Sequence, residues 1–169
     1  MDCRISGNIQ QASVVKRVSE FRVKPKKCVI IAVMELILFI DGASKGNPGA
    51  AGIGVLLTDK DGATVAEIGE GIGQTTNNVA EYKALIRGLE EAQARGAARV
   101  TVHTDSQLMA RQMEGRYKVN APHLKALQVE AQALCRLFSG GVTLTHILRE
   151  GNARADQLAN QGARLAAAG

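Results

Sequence analysis

The sequence predicts an α/β protein built on a five-stranded mixed sheet, an antiparallel meander joined to parallel strands and flanked by helices. Three observations predict it. Leu36 to Ile40 is an unbroken apolar run of residues that favour strands, as expected of a central strand covered on both sides. Two further strand-like segments follow directly, with the turn signal Asp61-Gly62 between them. After these, helical and strand-like stretches alternate, which is the pattern of parallel strands joined by helical crossovers.

Taken in order, the first strand is expected over Glu35–Asp41, where the apolar run meets a carboxylate and the turn residues Gly42, Gly46, Asn47, Pro48 and Gly49. The second and third strands are Gly52–Thr58 and Thr64–Gly73. A helix from about Asn77 to Arg95 is stopped by Gly96. The fourth strand, Arg99–Asp105, runs straight into a helix from about Ser106 to Glu114. Pro122 opens the next helix, His123 to Phe138, whose Leu124, Leu127, Ala131 and Leu134 recur at helical spacing. Gly140-Gly141 ends it, the fifth strand is Val142–Leu148, and a last helix runs from about Asn152 to Ala167. The fourth and fifth strands should lie parallel to the first.

At 169 residues the chain reads as one domain, residues 34–169, preceded by a basic, weakly patterned extension, residues 1–33. The formal charge of +5 is unevenly placed: residues 1–34 hold seven Lys and Arg against two acids, and residues 35–169 hold fourteen of each sign. Basicity is therefore a property of the extension. Cys3, Cys28 and Cys135 are scattered and in no metal-ligand spacing, which argues against a structural zinc site and favours a reducing compartment. The apolar run near Lys24–Ile40 is interrupted by Glu35 and falls short of the ~20 residues that span a bilayer, so the expectation is a cytoplasmic protein without a membrane partner.

Four acids occupy unusual places. Asp41 ends the first strand and Asp105 the fourth, so neighbouring parallel strands would bring both to one sheet edge, where open α/β sheets bind ligands. Glu81 shares a helical line with Leu85, Gly88 and Ala92, and Asp156 lies beside the stripe Ala155, Leu158, Ala159, Gly162. Singly, Asp41 is a turn opener and the two helical acids are favoured by helix N-termini. Four together would repel unless a cation offset them. Oxygen ligands without His or Cys suit a hard cation, Mg²⁺ or Mn²⁺, and two such ions roughly 3.5–4 Å apart serve phosphodiester cleavage.

In order and context, Asp41 in DGASKGNPG, Glu81 in TTNNVAEY, Asp105 in TDSQ and Asp156 in NARADQLAN resemble the four acids of type 1 ribonuclease H, over residues 35–168. The resemblance implies a ribonuclease H-like fold and an endonuclease that cuts the RNA strand of RNA–DNA hybrids to 3′-hydroxyl and 5′-phosphate ends. It implies that Asp41, Glu81, Asp105 and Asp156 are catalytic and bind two Mg²⁺ ions, with Mn²⁺ able to substitute. Asn47, Asn77, Asn78 and Gln107 carry amides able to read minor-groove edges and 2′-hydroxyls, and Gly42, Ala43 and Ser44 could offer backbone N–H groups to the RNA strand. No obligate protein partner is evident, and a monomer is expected.

Two departures from the family stand out. The loop Arg149–Arg154 has no His, whereas relatives often place one there; His103, His123 and His146 lie elsewhere. Between Met113 and Leu124 there is only EGRYKVNAPH, without Trp, in place of the basic protrusion of many relatives. Competing readings are weaker. A proofreading-type exonuclease would show Asp-x-Glu, not Asp41-Gly42-Ala43; Gly71-Ile72-Gly73 lacks the third glycine of a dinucleotide loop, which Thr76 replaces. An aromatic content of 3% disfavours a stacking single-strand binder. The remaining alternative is a catalytically inactive hybrid-binding module of the same fold, which retention of all four acids argues against.

Overall fold

The computed structural model describes residues 34–169. The basic extension, residues 1–33, and the domain boundary placed there lie outside the described residues. The elements are β1 (Glu35–Gly46), β2 (Gly49–Asp59), β3 (Thr64–Thr75), α1 (Asn77–Ala94), β4 (Arg99–Thr104), α2 (Gln107–Met113), α3 (Pro122–Cys135), β5 (Val142–His146), a 3₁₀ turn (Arg149–Asn152) and α4 (Ala153–Ala168). The strands form one sheet in the order β3-β2-β1-β4-β5. β1, β2 and β3 are an antiparallel meander, while β4 pairs parallel to β1 and β5 parallel to β4. This is the mixed sheet that the segment order predicts. Among the described residues no helix is long and apolar enough to cross a membrane.

The first strand differs from its expected limits in a way that matters for the site. It does not stop at Asp41 but continues to Gly46, paired with β2 down to Gly46↔Gly49. Its parallel pairing with β4 does end early, at Ile40↔Thr104. The apolar run therefore marks the part of β1 flanked on both sides, and the polar part beyond it is paired on one side only. The second hairpin is also looser than a two-residue Asp-Gly turn. β2 ends at Asp59, whose Oδ1 accepts the N–H groups of Asp61 at 2.9 Å and Ala63 at 2.8 Å, and Gly62 takes φ +86°.

Side chains alternate across each strand, so β2 presents two different surfaces. Ile53, Val55 and Leu57 join Leu36, Leu38 and Ile40 of β1, Val100 and Val102 of β4, and Tyr82, Leu85 and Leu89 of α1 in the main core. The intervening Gly52 and Gly54 lie under α4. A Cβ on Gly54 would stand 2.0 Å from the Ala155 carbonyl oxygen, and one on Gly52 2.1 Å from the Ala163 nitrogen. Reciprocally, a Cβ on Gly162 of α4 would meet the Glu70 carbonyl oxygen at 2.2 Å. Helix and sheet thus touch backbone to backbone, closer than any side chain would allow.

Candidate active site

Four different elements deliver the four acids. The last parallel rung, Ile40↔Thr104, leaves Asp41 and Asp105 as the next residues on two diverging strands. Glu81 is delivered by α1, whose Thr76 hydroxyl caps the Val79 N–H. That helix can lie against β1 because Gly42 has no side chain: a Cβ there would be 2.3 Å from the Glu81 nitrogen. Asp156 follows Ala155, the residue seated on Gly54. Asp41, Glu81, Asp105 and Asp156 line one open cleft together with Gly42, Ala43, Ser44, Asn77, Ser106, Arg149 and Asn160.

The cleft is short of positive charge. Burial raises the Asp41 carboxyl first, then the neighbouring Asp105 and Asp156, and it is pushed up to about 8 despite a hydrogen bond from the Gly42 N–H. Glu81 is raised as well, chiefly by burial and further by Asp105, against two hydrogen bonds that favour its charge. Those bonds occupy both of its oxygens: the Asn77 amide donates to Oε1 at 3.0 Å and the Ser106 hydroxyl to Oε2 at 2.7 Å. Ser106 at the same time accepts the Met109 N–H at 3.3 Å, as the N-cap of α2. Asp156 is held by the Arg149 guanidinium at 2.7 Å. Asn152 donates to Asp105 Oδ1 at 3.1 Å and to the Ile40 carbonyl at 2.9 Å.

The donor chemistry fits a hard divalent cation: oxygen-only, with four acids lining one cleft. The side chains are not drawn into a ready cage, since among the described residues no three His, Cys, Asp or Glu groups converge at ligating distance. Asp156 is turned to Arg149, and Glu81 to Asn77 and Ser106.

The other anticipated residues divide. Gly42, Ala43, Ser44 and Asn77 line the cleft; Asn47, Asn78 and Gln107 do not, and all three are exposed. Asn47 accepts the Asn77 N–H through its Oδ1 at 3.3 Å, so it braces the start of α1. The Ser44 hydroxyl is tied to the carbonyls of Gly46 and, at 2.8 Å, Thr75. None of the histidines lines the cleft: His103 packs half-buried against Phe39, ring centroids 5.0 Å apart, and His123 and His146 are exposed. Ser106, Arg149, Asn152 and Asn160 were not singled out by the sequence. Ser106 and Asn152 stand inside TDSQ and NARADQLAN, but a Ser or Asn before a helix reads there as an ordinary cap.

Comparison with known proteins agrees with this architecture. Residues 39–162 match the model of the family described as "Reverse transcriptase-like". The chain is 38% identical over 139 residues to a ribonuclease H of Neisseria gonorrhoeae, a match covering 75% of this chain and 93% of that protein. The chain belongs to the ribonuclease H family. Among family members it is 44% identical over 135 residues to a bifunctional protein of Mycobacterium tuberculosis, covering 79% of this chain but only 37% of that longer protein. A solved ribonuclease H1 from compost, LC11, in complex with an RNA/DNA hybrid, superposes with a TM-score of 0.73 at 45% identity, covering 78% of this chain and 98% of the other.

Proposed function

We propose that this ribonuclease H-family chain is a hydrolase that cuts the RNA strand of RNA–DNA hybrids endonucleolytically, leaving 3′-hydroxyl and 5′-phosphate ends. The observation that carries the reading is the cleft into which β1, α1, the end of β4 and α4 each contribute one carboxylate. Support comes from the identity to a ribonuclease H and from the likeness to a relative solved with a hybrid.

Asp41, Glu81, Asp105 and Asp156 would hold two Mg²⁺ ions, or Mn²⁺ in their place. Such ions supply positive charge for the attacking and leaving oxygens of the phosphodiester. The remaining chemistry belongs to the chain's own groups. Asn77 and Ser106 fix the Glu81 carboxylate in one orientation. Gly42, Ala43 and Ser44 line the cleft, where their backbone would face an approaching sugar–phosphate strand, while the space that a side chain at Gly42 would need is taken by α1. Asn77 stands at the same edge as an amide able to meet a 2′-hydroxyl, the group that separates RNA from DNA. A catalytically inactive hybrid-binding module would gain nothing from four acids that repel both one another and a phosphate backbone.

The test is an Asp105→Asn variant, which removes one charge with almost no change of volume. Wild type should cut the RNA of a hybrid with Mg²⁺ or Mn²⁺, and not with EDTA; double-stranded DNA should remain intact. The variant should fold, still bind hybrid and have no turnover. Wild-type cleavage by Asp105→Asn, or cleavage in EDTA, would refute the assignment.

A further inference from the structure

We propose that Asn152 is a positioning residue, a side chain that sets the spacing of Asp41 and Asp105 where β1 and β4 part. The proposal rests on the reading of the cleft as a cation-dependent nuclease site. Asn152 is 1% exposed, at the junction of the 3₁₀ turn and α4. Both hydrogens of its amide are committed: Nδ2 donates to the Ile40 carbonyl at 2.9 Å and to Asp105 Oδ1 at 3.1 Å. Ile40 immediately precedes Asp41 and belongs to the last backbone rung between the two strands, Ile40↔Thr104. Beyond that rung no paired residues among those described hold β1 to β4, and the Asn152 amide provides the next link. The same residue begins the helix that carries Asp156. One side chain therefore joins three of the elements that supply the acids.

Two further observations separate this from ordinary helix capping. Asn152 occupies the N-cap of α4, where an Asn side chain normally accepts an N–H of the first turn. It makes no capping hydrogen bond. Its Oδ1 is buried, and no protein group among the described residues pairs with it. A side chain present for helix stability would use that oxygen, and one present to fill space would be apolar. Asn152 is placed for its donor end, which faces Asp105. Groups that orient metal-binding side chains in this way affect metal affinity and turnover more than substrate binding.

Two variants test the idea, Asn152→Ala and Asn152→Leu, of which the second has the branching and heavy-atom count of the amide and keeps the interior filled. For each folded variant, thermal unfolding, Mn²⁺ binding by calorimetry, and kcat and KM on a defined hybrid are measured beside wild type and Asp105→Asn. Weakened Mn²⁺ binding and a kcat reduced on the order of 10–100-fold, with KM within about twofold, support positioning. Partial recovery of kcat at higher Mg²⁺ concentration supports it further. A folded variant with lowered Tm but wild-type Mn²⁺ affinity and kcat overturns it and leaves a structural role. If wild type itself neither binds Mn²⁺ nor cuts hybrid, the underlying reading fails and the proposal with it; wild-type activity beside normal variants fails the proposal alone.

Discussion

Asp41 carries its perturbation because burial, first, and neighbouring acids, second, disfavour its charge. It is mostly buried, beside Asp105 and Asp156, and its carboxyl is pushed up to about 8 from an ordinary 3.8. An acid whose folded pKa lies above its unfolded value binds more protons folded than unfolded between the two. Its contribution to stability therefore falls as pH rises from about 4 to 8 and is level above that. Asp41→Asn removes this penalty. The variant should melt near wild type at pH 4.5 and above it at pH 8, by something of the order of 2–4 kcal/mol in EDTA. Parallel pH profiles for the two proteins would mean that Asp41 titrates normally. The same substitution should remove hybrid cleavage, so stability and activity are opposed at this residue. The four acids were legible in the sequence because each sits in its own run of turn or cap residues. Their partners Ser106 and Asn152 were not, because a hydrogen bond between residues 25 or 47 positions apart leaves no local pattern.

At the scale of elements, glycines determine which acid reaches the cleft. Gly42 lets α1 lie on β1 and Gly54 lets α4 lie on β2, and these contacts set the heights of Glu81 and Asp156. Gly54→Ala would put a Cβ 2.0 Å from the Ala155 carbonyl, so α4 must lift. We expect a loss of about 2–4 kcal/mol of stability and a large loss of turnover, since Asp156 moves with the helix. Gly62→Ala is the comparison. Nothing lies within 4 Å of its Cβ, and only its φ of +86° makes the side chain unfavourable, at a cost of roughly 1 kcal/mol. Equal melting temperatures for the two variants would contradict backbone contact between α4 and the sheet. Strand and helix types followed directly from periodicity. The true reach of β1 to Gly46 did not, because the segment Gly42–Gly46 has the composition of a turn and is held as strand by its pairing with β2.

Across the whole molecule, charge is segregated: residues 35–169 are balanced and the excess of +5 lies in residues 1–34. Residues 1–33 are proposed to act as a basic tether that attracts the phosphate backbone, supplementing a domain whose Met113–Leu124 stretch carries no large basic protrusion. A truncated protein beginning at Met34 should then keep its fold and its turnover at saturating hybrid. It should bind hybrid more weakly at low salt, with a log K against log[salt] slope shallower by up to about 0.9 for each phosphate that the truncated protein no longer neutralises. An unchanged slope would remove the tether from consideration.

The sequence by itself determined the order and type of the elements, the mixed sheet, and the identity of the four acids with the family they resemble. Those properties are written locally, in apolar periodicity, turn chemistry and short runs such as TDSQ and NARADQLAN. Only the tertiary structure decided that Asp41 stands where the β4 pairing stops rather than at a strand end, and that Asn152 serves Asp105 and the Ile40 carbonyl instead of capping α4. It also decided that bare glycine backbone admits α1 and α4 to the distances at which four acids share one cleft. Register, close approach and the partner of a buried amide depend on residues far apart in the chain, and those pairings exist only once the sheet and its helices have packed.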